Sequence, residues 1–108
     1  MSWKRWLPNY DVPDTIQRLV SAGVLKDKTW KEDVVPHFEA ILSDGSQLVL
    51  WSDHPKVSYR AVPDAPRYGL EIYRKGELPE TLFQSNDLEE TLVAFKGLLE
   101  DLGGMRSI

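Results

Sequence analysis

Hydrophobic and polar positions along the chain follow two periods, and each period predicts its own elements. Residues 37–52, "HFEAILSDGSQLVLWS", alternate on either side of Asp44-Gly45. Alternation marks a half-buried strand, and Asp-Gly is a strong hairpin turn. Two registers compete. A two-residue turn sets Phe38 opposite Trp51 and Ile41 opposite Leu48, which leaves both sheet faces equally apolar. A three-residue loop, with Gly45 in the left-handed region, sets Phe38 opposite Leu50 and Ala40 opposite Leu48. That register gathers Phe38, Ala40, Leu42, Leu48 and Leu50 on one face. His37, Glu39, Ile41, Val49 and Trp51 share the other. One-sided burial selects it, because a slip of one residue would turn the whole apolar set outward.

Three more strands are predicted, at 56–62 ("KVSYRAV"), 67–75 ("RYGLEIYRK") and 80–85 ("ETLFQS"). In the second of these, Tyr68, Leu70 and Ile72 share one face, and Glu71, Tyr73 and Lys75 the other. A helical period appears near both ends of the chain. The first helix starts at Asp14, with Gln17 completing a capping box, Ile16, Leu19 and Val20 as its apolar face, and Gly23 ending it. The closing helix is capped by Asn86 or Asp87, with Glu89 or Glu90 three positions on. Leu88, Leu92, Phe95, Leu99 and Leu102 form its stripe, and Gly103-Gly104 ends it.

The predicted order is α-β-β-β-β-β-α. No helix separates the strands, so the sheet is mainly antiparallel. Two amphipathic helices over one face of five strands make an α+β two-layer sandwich. Residues 1–108 read as one domain, with an aromatic arm at 1–10 and a body at 11–104. The arm carries Trp3 and Trp6 around Lys4 and Arg5, and is expected to pack on its own domain. One way to do so is to lay Trp3 or Trp6 over Trp51.

Composition narrows the function classes. The chain has no cysteine, which removes thiolate metal sites, disulfides and cysteine nucleophiles and suits a reducing, cytoplasmic setting. No apolar run is long enough for a signal peptide or a membrane span, so a soluble protein without membrane contact is expected. Net charge is −4, from 13 basic and 17 acidic residues. The excess lies in 87–101, where Asp87, Glu89, Glu90, Glu100 and Asp101 face Lys96 alone. An acidic balance argues against nucleic acid. The competing arrangement would set Lys56, Arg60, Arg67, Arg74 and Lys75 around Tyr59 and Tyr73 as stacking platforms.

Candidate chemistry is sparse. "WSDHP" (51–55) places Ser52, Asp53 and His54 side by side, yet neighbours on a strand point to opposite faces. No G-x-S-x-G elbow accompanies them, and Pro55 forces a turn. A turn is therefore the expectation, with no catalytic residue and no cofactor. His37 and Glu39 project from one strand face, and with His54 they would be a metal site for zinc or iron.

The second sheet face is the stronger feature. Ile41, Val49, Trp51 and Tyr73 are interleaved there with Glu39 and Glu71, where a purely solvated face would be polar. The leading expectation is a non-enzymatic binding or regulatory protein that uses this face as a homodimer or with a protein partner. The alternative is a small aromatic or cationic ligand, held in a pocket between sheet and helices and lined by Tyr59, Tyr68, Tyr73 and Trp51. A metal-dependent enzyme comes third.

Overall fold

The hairpin forms in the register that one-sided burial requires. The structure, a computed structural model, describes residues 2–60, 62 and 64–105. Strand β2 (His37–Ile41) pairs with β3 (Gln47–Ser52), setting Phe38 opposite Leu50 and Ala40 opposite Leu48. Gly45 takes the left-handed conformation at φ 89°, which a side chain would resist. Strand β4 (Tyr68–Tyr73) pairs with the other side of β3, and β5 (Glu80–Ser85) with β4. A register irregularity between Leu70 and Glu71 bends this last pair.

The sheet has five strands, all antiparallel, in spatial order β1-β2-β3-β4-β5. Its first strand is not the one expected. Residues 56–62 were a predicted strand, but Val57–Tyr59 form a turn of 3-10 helix, and Ala61 lies outside the described residues. The cause is Arg60. Its guanidinium donates to the carbonyls of His54 (2.9 Å) and Ala65 (2.8 Å) and to Asn86 Oδ1 (2.8 Å), gathering the segment into a loop. The fifth strand is instead β1 (Lys26–Asp27), two residues paired with the outer edge of β2.

Three helices cover one face. In α2 (Asp14–Ser21), Ile16 is fully buried. Asp14 opens this helix without capping it, and Gln17 reaches back to the carbonyl of Val12 (2.7 Å). Gly23 ends the turn that follows, and the Val24 N–H donates to the Leu19 carbonyl (3.0 Å). In α3 (Leu88–Asp101), Asp87 caps the first turn by accepting from the Glu90 N–H (3.0 Å). The buried stripe of α3 is rotated from the one read in the sequence. Thr91 is fully buried while Leu92 stays outside the core cluster. Thr91 can occupy that place because its hydroxyl donates to the carbonyl of Asp87 (2.8 Å).

The arm also joins this layer. Ser2–Trp6 form a short helix, α1, and Trp3 is buried in the same cluster as Ile16, Phe38, Leu50, Leu70 and Phe95. The Trp3 N–H donates to Asp27 Oδ2 (3.1 Å), tying the arm to β1. Trp6 meets Trp30 at 5.9 Å. Neither ring lies over Trp51. Trp3 fills the helix-covered face, so the second face keeps only its own side chains and the loops around it. No helix among the described residues is long and apolar enough to cross a membrane.

Candidate functional site

Antiparallel pairing arranges the second face in rows across the sheet. One row runs His37, Trp51, Gly69, Gln84; the next runs Glu39, Val49, Glu71, Thr81; the third holds Ile41, Gln47 and Tyr73. Gly69 interrupts the first row. Where its neighbours Trp51 and Gln84 carry side chains, it carries none, and a cleft of about 230 Å³ opens above it. Trp51, Glu71, Thr81 and Gln84 form the sheet side of this cleft, and Val35, Asp53, Pro66 and Arg67 wall it from the loops.

Glu71 is the best-positioned polar group. Its Oε1 accepts from the Trp51 indole N–H, and the Tyr73 and Thr81 hydroxyls each stand 3.4 Å from its carboxylate. These contacts orient the carboxylate without neutralising it. Among the described residues, no lysine, arginine or histidine side-chain nitrogen comes within 4.0 Å of the carboxylate oxygens of Glu71 or Asp53. Burial, followed by the charge and hydrogen bond of Glu71, pushes the Tyr73 hydroxyl above its ordinary value, so Tyr73 stays a neutral donor.

Asp53 follows Trp51 by two positions and continues the strand, with its N–H donating to the carbonyl of Arg67 (2.7 Å). The alternation therefore turns its side chain toward the second face. It is only 7% exposed. Its Oδ1 accepts from the His54 N–H (2.7 Å). Arg67, the one cation on the cleft wall, is spent on the chain itself. Its Nε donates to the Asp53 carbonyl (3.2 Å) and its Nη2 to that of Asp11 (2.7 Å), and the guanidinium lies 5.1 Å from the Tyr68 ring centre.

The rest of "WSDHP" is a turn. His54 Nδ1 accepts from the Lys56 N–H (3.0 Å), and Nε2 stands 3.1 Å from the carbonyl of Asn9. An accepting Nδ1 leaves the proton on Nε2, so both nitrogens are engaged. The ring is held edge-on between Tyr10 (5.2 Å) and Tyr59 (5.0 Å). This arrangement separates the three residues of the candidate metal site. His37 and Glu39 share the second face. His37 is stacked on Trp51 at 4.6 Å, with Asp33 Oδ2 3.1 Å from Nδ1 in ion-pair range but without hydrogen-bond geometry. His54 is held in the Asn9–Tyr10 corner. Among the described residues no group of three His, Asp or Glu side chains could hold a metal.

The tyrosines are likewise divided. Trp51 and Tyr73 share the second face. Tyr68 points into the core at 2% exposure, and burial raises its hydroxyl above the ordinary range. Tyr59 sits on the 3-10 turn with Lys56 over its ring, 5.6 Å from the centre. The four rings do not line one pocket, and the cleft opens on the outer face of the sheet, not between sheet and helices.

Of the second-face residues, Trp51 and Glu71 line the cleft, while Glu39, Ile41 and Val49 lie in the rows beside it. The sequence reading missed Asp53 as a wall and Gly69 as the opening. A glycine inside an otherwise alternating strand is the signal that was available, since it marks a bulge or a close approach. Comparison with family models, with curated proteins and with solved structures finds no match for this chain.

Proposed function

We propose that this chain is a non-enzymatic binding protein that takes a small aromatic or cationic ligand into the cleft above Gly69. The observation that carries the reading is the gap in the row between Trp51 and Gln84, bordered by an oriented and unneutralised Glu71. A preformed concavity with an aromatic wall and a few placed polar groups is how small-molecule sites are commonly built. Absence of cysteine suits a cytoplasmic setting for such a protein.

The flat-interface reading, a homodimer or a protein partner on the same face, needs exposed apolar area. Support for it is thin, since Val49 is only 3% exposed and the large exposed apolar side chains, such as Trp30 and Val34, lie off the sheet. Light scattering on the eluted protein separates the two: the ligand reading expects a monomer with the cleft open.

Ligand-dependent stabilisation tests the function. A ligand that binds only the native state at 100 times its Kd stabilises by about 2.7 kcal/mol. Thermal melts against a panel of small aromatic, cationic and anionic compounds should find at least one that raises the melting temperature. The effect should disappear in Gly69→Val, which sets a branched side chain on the cleft floor. A panel in which no stabilisation depends on Gly69 would remove the proposal.

A further inference from the structure

We infer that the ligand of this cleft is a monocation with N–H donors, a primary amine or guanidine on a short apolar stem, held between Asp53 and Glu71. The inference rests on the cleft reading above and adds the chemistry of the ligand. Asp53 is more than nine-tenths buried, lines the cleft, and has no cationic side chain within 4.0 Å among the described residues. Its Oδ1 is taken by the His54 N–H, and no protein donor among the described residues is recorded for Oδ2. With one backbone donor from its own neighbour and no cationic side chain beside it, this carboxylate has an oxygen on which a bound N–H cation would make a charge-assisted hydrogen bond.

Three features narrow the cation. The first is charge. Asp53 and Glu71 set two negative charges against Arg67, whose donors are directed at the carbonyls of Asp53 and Asp11. The lining is therefore net −1, which matches one positive charge and not two. The second is hydrogen bonding. The cleft presents acceptors, namely Asp53 Oδ2, the lone pairs of the Glu71 carboxylate left over from Trp51, Tyr73 and Thr81, and the amide oxygen of Gln84, and these reward a head that donates. The third is the scarcity of aromatic faces. A quaternary ammonium needs a cage of rings, whereas Trp51 is the one indole on the wall and His37 is already stacked on it. Trp51, Val35 and Pro66 can instead flank the stem of an amine. The volume suits a free small molecule.

The test uses the full chain and isothermal titration with four probes: benzylamine, benzyl alcohol, benzyltrimethylammonium and a blocked lysine tripeptide. Benzylamine should bind the native protein at least tenfold more tightly than each of the other three. Asp53→Asn keeps the acceptor for the His54 N–H, and Glu71→Gln keeps the acceptor for Trp51. Each should weaken benzylamine at least tenfold, with the circular dichroism spectrum and the urea midpoint confirming a folded protein. If Asp53→Asn fails that control, Glu71→Gln decides. Binding of the alcohol or the quaternary ion as tightly as benzylamine, abolished by Gly69→Val, would overturn the inference and leave the cleft reading standing. Tightest binding by the lysine peptide would overturn the free-amine source. Binding unaffected by Gly69→Val, or no binding by any probe, would also overturn the inference. The first of these two results would take the cleft reading with it.

Discussion

Gly69→Ala is the substitution on which stability and binding should part company. Gly69 has no positive φ and lies mid-strand in β4, where glycine costs roughly 0.5–1 kcal/mol relative to alanine through the extra freedom of the unfolded chain. The new Cβ would have room. Its nearest neighbours are Gln84 Cγ and the Phe83 carbonyl oxygen, both at 4.0 Å, which is ordinary van der Waals contact. Nothing has to move, so the backbone term is not offset by strain. The variant should gain about 0.5–1 kcal/mol. At ~4–8 °C per kcal/mol for a domain near this size, its melting temperature should rise by about 2–8 °C. Urea unfolding with linear extrapolation is the assay, and the midpoint should rise with an unchanged slope. The same methyl stands on the floor of the cleft, so benzylamine should bind the variant more weakly than the wild type. A loss of stability beyond about 1 kcal/mol would mean that the space above Gly69 is already filled. A gain in stability with unchanged binding would place the ligand elsewhere.

Two other predictions concern titration and the loop at Arg60. The hydroxyls of Tyr10, Tyr68 and Tyr73 all sit above their ordinary value of 10.0, with burial the largest cause in each. The folded state therefore holds these protons more tightly than the unfolded one. Stability should be intact below pH 10 and fall as pH rises from there through the raised folded values. Urea unfolding at stepped alkaline pH checks this, and Glu71→Gln should bring the Tyr73 titration, followed by tyrosinate absorbance, back toward the ordinary value. Arg60→Ala should cost about 2–3 kcal/mol in urea unfolding, because three short hydrogen bonds to His54, Ala65 and Asn86 go with it. Arg60→Lys should recover less than half, since an ammonium cannot reproduce the planar fork.

The hairpin register was legible because burial of one face distinguishes Phe38–Leu50 from Phe38–Trp51, and only one pairing keeps Leu48 and Leu50 inside. Strand β5 and the Asp87 cap were legible for similar local reasons. The segment 56–62 was not. Its alternation of Val57 and Tyr59 resembles a strand, but the decisive contacts come from Arg60 folding onto Pro55, Ala65 and the distant Asn86. A pattern read along the chain carries no information about such a side chain. Thr91 was missed for the opposite reason. A polar residue reads as exposed, and a local hydroxyl-to-carbonyl bond makes burial inexpensive.

The two faces of the sheet differ in what composition can announce. On the helix-covered face the central strand positions Phe38, Ala40, Leu48, Leu50, Leu70 and Ile72 are apolar and buried, so its purpose can be read from side chains that are present. On the other face the decisive element is a side chain that is missing. Trp51 and Glu71 were visible as an unusual pair, yet their meaning changes once the register puts Gly69 directly between Trp51 and Gln84. A flat aromatic face becomes a face with a hole in it. The burial of Asp53 strengthens this distinction. A carboxylate at 7% exposure with no cationic side chain beside it has no task in an interface that is only flat. The same carboxylate on the wall of a cleft has a use under the proposed function, as the acceptor for a cationic ligand. The core on the opposite face, from Trp3 to Phe95, holds the sheet together without any contribution from the cleft.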